Sequence, residues 1–366
     1  MGGSEKVVAA LAVTVAVALA PTGPSSVSAQ EGVVVASGLD SPRHLTFSPT
    51  GALYVVEAGR GGPRGDDGNC ADHPLGVFCL GFTGAVTQVR DNGSDPEVLS
   101  GLPSIASPTE ALGPSDISLT GSKKFVLSIG IGGSLAFRDE FGADGEELGT
   151  LVSGKLGDGT WEQFADVLAN EAVANPEPTD IDSNPAGILR QGESYVVADA
   201  GGNAILRANH KGAFTTLAVL PGVMSSFGFP ADPVPTSVVQ GPDGAFYISQ
   251  LVGFPFDPGA SSIWRMVPGE APTKYATGLT NVTDLAFGPD GTLYAVEIAA
   301  NGLLNVPPGE LPVGAVVEVV PGATGPTVVH GDLTAPYGLA FGRGGMYVTT
   351  GAVLPGGGAV VRFPLP

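Results

Sequence analysis

His44, Glu57, Asp116, Asp199, Gln250, Asp284 and Glu297 occupy two fixed positions of a phrase that this 366-residue chain repeats. The copies open on Pro42, Pro114, Pro185, Pro235, Val282 and Pro336. Two residues after each opener stand His44, Asp116, Gly187, Ser237, Asp284 and Gly338. About fifteen residues after it stand Glu57, Ile129, Asp199, Gln250, Glu297 and Thr350. Carboxylates gathered in such numbers could hold a hard cation such as Ca²⁺, which takes oxygen ligands. Glu57, Asp199 and Asp284 are the candidate metal ligands. With an ion bound, a carboxylate could serve as base and a bound water as nucleophile. The other reading of the same groups is structural: they cap strands and bind channel water.

The elements that must position them follow from the phrase. Each copy is a short apolar strand, a Gly/Pro/Asp turn and a second strand. Leu53-Tyr54-Val55-Val56-Glu57, Phe246-Tyr247-Ile248-Ser249-Gln250 and Leu293-Tyr294-Ala295-Val296-Glu297 are the clearest second strands. Ser48-Pro49-Thr50-Gly51, Gly241-Pro242-Asp243-Gly244 and Gly288-Pro289-Asp290-Gly291 have tight-hairpin chemistry. The openers lie about 50 residues apart, stretched to about 70 in the first two copies. A repeat of that length holding several short strands predicts an all-β chain folded as a six-bladed β-propeller. Antiparallel pairing puts the start of the inner strand and the end of the second at one rim. The polar set would then surround one channel mouth. After Pro336 there is room for three strands only, Gly338–Phe341, Met346–Thr350 and Ala359–Phe363. Gly32–Ala36 supplies the missing fourth and closes the ring, which removes two open sheet edges.

Lys6, an apolar run from Val7 to Ala20 and the small-x-small site Val27-Ser28-Ala29 make residues 1–29 a signal peptide cleaved near Ala29. Residues 30–366 then form a single propeller domain, secreted or held in the cell envelope. No later segment is long and apolar enough to span a bilayer. A formal charge of −20 argues against nucleic acid, which needs a basic surface. Cys70 and Cys79 read as a disulfide in an exported chain. The competing reading is a metal site with Asp72 and His73. The added length of the first copy is the cystine loop. That of the second is Ile131–Leu148 and a helix near Trp161–Ala174, with Phe164, Val167 and Leu168 at helical spacing. Such insertions, with Phe254, Pro255 and Phe256, would face a protein, glycan or small ligand.

Other motifs stop short. Asp180-Ile181-Asp182-Ser183-Asn184 has the oxygen spacing of a calcium loop, but Pro185 and Gln191 replace its Gly and Glu. Gly149 to Lys155 resembles a phosphate loop, but Leu156 replaces the Ser/Thr that holds Mg²⁺, and it reads as a β-turn. No G-x-S-x-G or H-E-x-x-H motif occurs. His210 and His330 fall in outer strands or turns, and Asn92 and Asn281 match the N-glycosylation sequon.

Val196-Val197-Ala198-Asp199-Ala200-Gly201-Gly202-Asn203-Ala204-Ile205 resembles the strand–turn–strand phrase of NHL repeats. Together with Asp182-Ser183-Asn184-Pro185, Gly253-Phe254-Pro255-Phe256 and Cys79-Leu80-Gly81-Phe82-Thr83-Gly84, it is similar to the ScyD/ScyE family. That resemblance covers the mature chain. It implies export and an NHL-like six-bladed propeller, and little about activity, which is not established for the family. A more distant likeness is to six-bladed Ca²⁺-dependent lactonases of the SMP-30/gluconolactonase type. There Glu57 would match the metal-binding Glu, and Asp199 or Asp284 the Asp, with no match for the Asn.

Overall fold

The computed structural model describes residues 32–366 apart from 66, 67, 92, 179 and 180. The leader at residues 1–29, the sequon at Asn92 and Asp180 of the acidic cluster lie outside the described residues.

Each repeated phrase becomes the inner half of an antiparallel sheet. The first sheet runs Pro42–Phe47, Leu53–Glu57, Gly76–Val89, Glu97–Ala106 and the short Ala111–Leu112, with Asn69–His73 paired to Gly76–Val89. The second is Pro114–Thr120, Lys124–Ile129, Thr150–Lys155 and Trp161–Asp166. Pro185–Gln191, Ser194–Asp199, Ala204–Ala208 and Phe214–Val219 form the third. The fourth is Pro235–Gln240, Phe246–Gln250, Ser261–Met266 and Thr273–Leu279; the fifth is Val282–Phe287, Leu293–Glu297, Val313–Val319 and Thr327–Thr334. Leu339–Gly342, Gly345–Thr350 and Gly358–Pro364 make the last sheet, whose outer strand is Val33–Leu39 from the other end of the chain. A two-stranded ribbon, Val223–Met224 with Pro230–Ala231, brings the described sheets to seven.

The inner strand of each four-stranded or larger sheet packs against the inner strand of the next, and Leu339–Gly342 returns to Pro42–Phe47. The apolar core is divided in the same way. Tyr54, Val86 and Leu127 pack between the first and second sheets, and Val126, Leu151 and Val197 between the second and third. The series ends with Leu45, Val55, Tyr347 and Val360, which join the last sheet to the first. Strands buried on both faces explain why the second strands read as unbroken apolar runs rather than alternating ones.

Two local expectations are corrected. Trp161–Asp166 is a strand, paired to Thr150–Lys155, and the helix begins only at Val167. The Asp166 carboxylate caps that helix by accepting from the Ala169 N–H. The second sheet needs an outer strand here, and a short apolar run does not distinguish helix from strand by its spacing. Likewise the run after Gly149 is the third strand of this sheet, Thr150–Lys155, rather than a turn.

Candidate functional site

Five of the six openers pair with the residue expected at the end of the second strand, Pro42 with Glu57, Pro114 with Ile129, Pro185 with Asp199, Pro235 with Gln250 and Val282 with Glu297, while Pro336 lies before its strand, which begins at Leu339. A register shift follows each of these five openers. A bulge re-aims the side chains beside it. The three residues after the opener therefore do not alternate simply between faces.

The second residue after the opener turns toward the neighbouring sheets. His44, Asp116 and Asp284 are brought together there. His44 Nδ1 lies 3.0 Å from the Ser115 carbonyl, and its Nε2 is 3.5 Å from Asp284 Oδ1. Asp116 accepts from the N–H groups of Ile117 and, in the next sheet, Ile188, at 2.7 and 2.8 Å. Asp284 accepts from Ser237 Oγ and the Leu285 N–H at 2.7 Å each, and from the Leu339 N–H at 2.8 Å. Burial alone would lower the His44 pKa, but the charges of Asp284 and Asp116 and the Ser115 carbonyl outweigh it and raise it. Burial lifts Asp116 to about 6 against the pull of His44 and its N–H donors, and raises Asp284 in the same way. His44 thus joins its own inner strand to Ser115 and Asp284 on two others. Gly187 and Gly338 occupy the same position where no side chain fits: a Cβ on Gly338 would stand 2.5 Å from the Arg43 carbonyl oxygen.

The residues at the end of the second strand are committed elsewhere. Glu57 accepts from the Asp40 N–H at 2.7 Å and from Thr87 Oγ1. Glu297 repeats this role on the Thr280 N–H at 2.7 Å. Asp199 accepts from Ser183 Oγ and the N–H groups of Asn184 and Gly202. Gln250 Oε1 accepts from Trp264 Nε1 at 3.0 Å. Burial raises the pKa of Glu57 and Asp199 and takes Glu297 to about 7. Both oxygens of Glu57, Asp199 and Asp284 thus serve different loops and sheets, and the three do not fit one Ca²⁺ shell. No group of three or more His, Cys, Asp or Glu among the described residues is arranged to hold a metal ion.

A cavity of about 170 Å³ opens at this rim, and the residues lining it are others. Arg43, Ser115, Ala186, Thr236 and Tyr337, each immediately after its opener, face it. Insertions complete the wall: Leu75 from the cystine hairpin, Glu110 and Leu112 from the end of the first sheet, and Phe256 and Leu303 opposite. Arg43 donates to the Ala111 carbonyl, and its guanidinium lies 4.7 Å from the centre of the Tyr337 ring. Burial pushes Glu110 up to about 7, held back by the nearby Arg43 charge. A fixed cation, a carboxyl that titrates near neutrality and apolar walls make a site that orients a small molecule through few polar contacts. Sequence reasoning passed over Arg43, Glu110 and Tyr337. Arg43 and Tyr337 could have been found by reading the alignment one column earlier.

The remaining candidates fall into place. Cys70 and Cys79 are disulfide-bonded across the hairpin of the first sheet. Phe256 lines the cavity, while Phe254 stacks on Phe229 with ring centres 6.2 Å apart. Asn281 is wholly buried; its side chain accepts from the Leu303 N–H and donates to the Leu251 carbonyl, so it is no surface glycan acceptor. His210 lies in a turn and His330 in an outer strand, as expected.

No family model and no curated protein matches this sequence. Solved structures do. A glucose dehydrogenase aligns at a TM-score of 0.53 with 12% identity, over 92% of this chain and 100% of its own. The chain has a propeller-type fold. A streptogramin B lyase aligns at 0.48 with 13% identity over 90% of this chain and 96% of its own. A carbohydrate-active enzyme of family AA12 from Trichoderma reesei aligns at 0.49 with 13% identity over 94% and 100%. At such identities the likeness is one of fold alone.

Proposed function

We propose that this chain is an exported six-bladed propeller of the ScyD/ScyE type that binds a small ligand at its channel mouth, as a binding or scaffold protein of the cell envelope or extracellular space. Six blades count the four-stranded and larger sheets and leave the two-stranded ribbon as a loop decoration. The reading treats Val33–Leu39 as the strand that closes the last blade and residues 30–366 as one domain. The disulfide agrees with an oxidising compartment, and no described helix is long and apolar enough to cross a membrane.

The observation that carries the binding role is the mouth cavity itself. Side chains after five of the six openers converge on it, with Arg43 held by a carbonyl and a ring. Nearby titratable groups support binding rather than turnover, because His44, Asp116 and Asp284 bond backbone groups of the inner strands. A ligand of one or two rings bearing an acidic or amide group matches the volume and meets Arg43.

Gly253 provides the test. It lines the cavity, and a Cβ there meets nothing closer than 3.5 Å. Compounds from a small-molecule panel that raise the melting temperature should lose that effect in Gly253→Phe, which fills the mouth, and weaken in Arg43→Met. A stabilising compound whose shift survives both substitutions would place binding elsewhere and refute the reading.

A further inference from the structure

At the rim opposite the mouth, a crevice of about 690 Å³ runs between the second and third sheets. The hairpin ends of the inner strands border it, through Thr120 and Lys124 on one side and Arg190, Glu193 and Tyr195 on the other. This volume falls within the range of small-molecule sites. The local charge is what sets the crevice apart. The chain has 16 Lys and Arg against 36 Asp and Glu, so most cations should find an anion or carbonyl. Among the described residues they do, with four exceptions: every other Lys or Arg side chain meets a carboxylate, a carbonyl, an amide oxygen or an aromatic ring. The exceptions are Lys123, Lys124, Arg190 and Lys211, all exposed. Lys124 and Arg190 line this one crevice with His210, and Lys123 and Lys211 adjoin lining residues in sequence. In a strongly acidic protein, unpaired cations gathered at one place are positioned for an anion from outside.

The rest of the lining narrows the class. Trp161 borders the crevice by its position in the outer strand, while its ring packs on the first-sheet side and its Nε1–H donates to both oxygens of Glu147 at 2.8 Å. Tyr195 packs edge-on against Phe164, with ring centres 5.6 Å apart. Glu162 and Glu193 stand among the cations, as does Asp158, which pairs with Lys155. Those carboxylates would repel a strand with a phosphate on every unit, but they accept hydrogen bonds from hydroxyls. We propose that this crevice binds an acidic oligosaccharide. Lys124 and Arg190 meet its carboxylate or sulfate groups, the Tyr195 ring meets a sugar face, and Glu162 and Glu193 take its hydroxyls. The proposal is independent of the mouth cavity.

Titration of the full chain at low salt with a hyaluronan tetrasaccharide, which carries a carboxylate on every second sugar, tests it. Binding is expected to weaken with added salt and to fall about tenfold or more in Lys124→Ala/Arg190→Ala, since each lost charged hydrogen bond is worth roughly that factor. Gly253→Phe should leave it unchanged. The fully methyl-esterified tetramer, which keeps the hydroxyls and loses the charge, should bind at least about tenfold more weakly. Absence of binding at low salt, equal binding of the methyl ester, or an unaffected double variant each overturns the proposal. Tighter binding of a single-stranded tetranucleotide would also overturn it, in favour of nucleic acid.

Discussion

Glu297 shows how a side chain suited to chemistry can be occupied by architecture. It is buried, it holds the Thr280 N–H at 2.7 Å, and burial lifts its pKa to about 7. The sign of its effect on stability follows. Below about pH 4.5, the ordinary glutamate value, the group is protonated in both folded and unfolded chains and contributes nothing. Between pH 4.5 and 7 the unfolded chain releases the proton while the folded one keeps it, so stability falls as pH rises. Above 7 the loss is complete, about 3 kcal/mol. Glu297→Gln removes the ionisation and keeps an oxygen for Thr280. Urea unfolding should therefore show a gain of about 1–3 kcal/mol at pH 8 and little change at pH 4. An equal effect at both pH values would contradict the burial account. His44 has the opposite character, because its raised pKa comes from two carboxylates that its charge stabilises in return.

At the scale of the strand, the bulge after five of the six openers decides which residue does what. Alignment of the phrase selected the second residue after the opener, and those residues link neighbouring inner strands. The residue one step earlier faces the cavity. With a bulge at this point neighbouring residues do not alternate simply between faces, so an error of one column selects the strand-linking residues in place of those that face the cavity. A bulge leaves no sequence mark strong enough to reveal that shift. The glycines at the second position were legible only as gaps in a polar column; the structure gives their reason. A Cβ on Gly187 would lie 2.8 Å from Ser237 Cα, and one on Gly338 would lie 2.9 Å from His44 Cα, both backbone atoms of the next sheet. Gly187→Ala and Gly338→Ala should each destabilise by about 1–3 kcal/mol in urea unfolding. Gly325→Ala, whose Cβ meets nothing within 4 Å, should be near neutral. Similar costs at all three sites would count against close approach of the inner strands as the cause.

For the whole molecule, closure rests on Val33–Leu39. This strand pairs antiparallel with Gly358–Pro364, and Ala36 and Leu39 pack with Leu45, Val55, Tyr347 and Val360. A chain begun at Asp40 would leave Gly358–Pro364 as an open edge and uncover that apolar cluster. We expect its melting temperature to drop by about 10 °C, with concentration-dependent self-association by size exclusion. A Val33–Leu39 peptide added in excess should restore part of the loss. An unchanged melting temperature would show that the last sheet is held without its outer strand.

The sequence by itself determined the repeat, the all-β class, the openers and the partners of five of the six, and the strand that joins the two ends of the chain. All of these are written in local patterns of apolar residues and turn chemistry, which recur from copy to copy and reinforce one another. Only the tertiary structure decided which polar groups meet. Glu57 and Asp199, aligned in one column, bond different loops; Arg43 and Tyr337, from a neighbouring column, share a cavity with Glu110, which stands in none; Lys124 and Arg190 border one crevice from neighbouring sheets. A site is a convergence of residues distant in the chain, and its geometry depends on bulges, insertions and sheet packing that no single copy of the phrase contains.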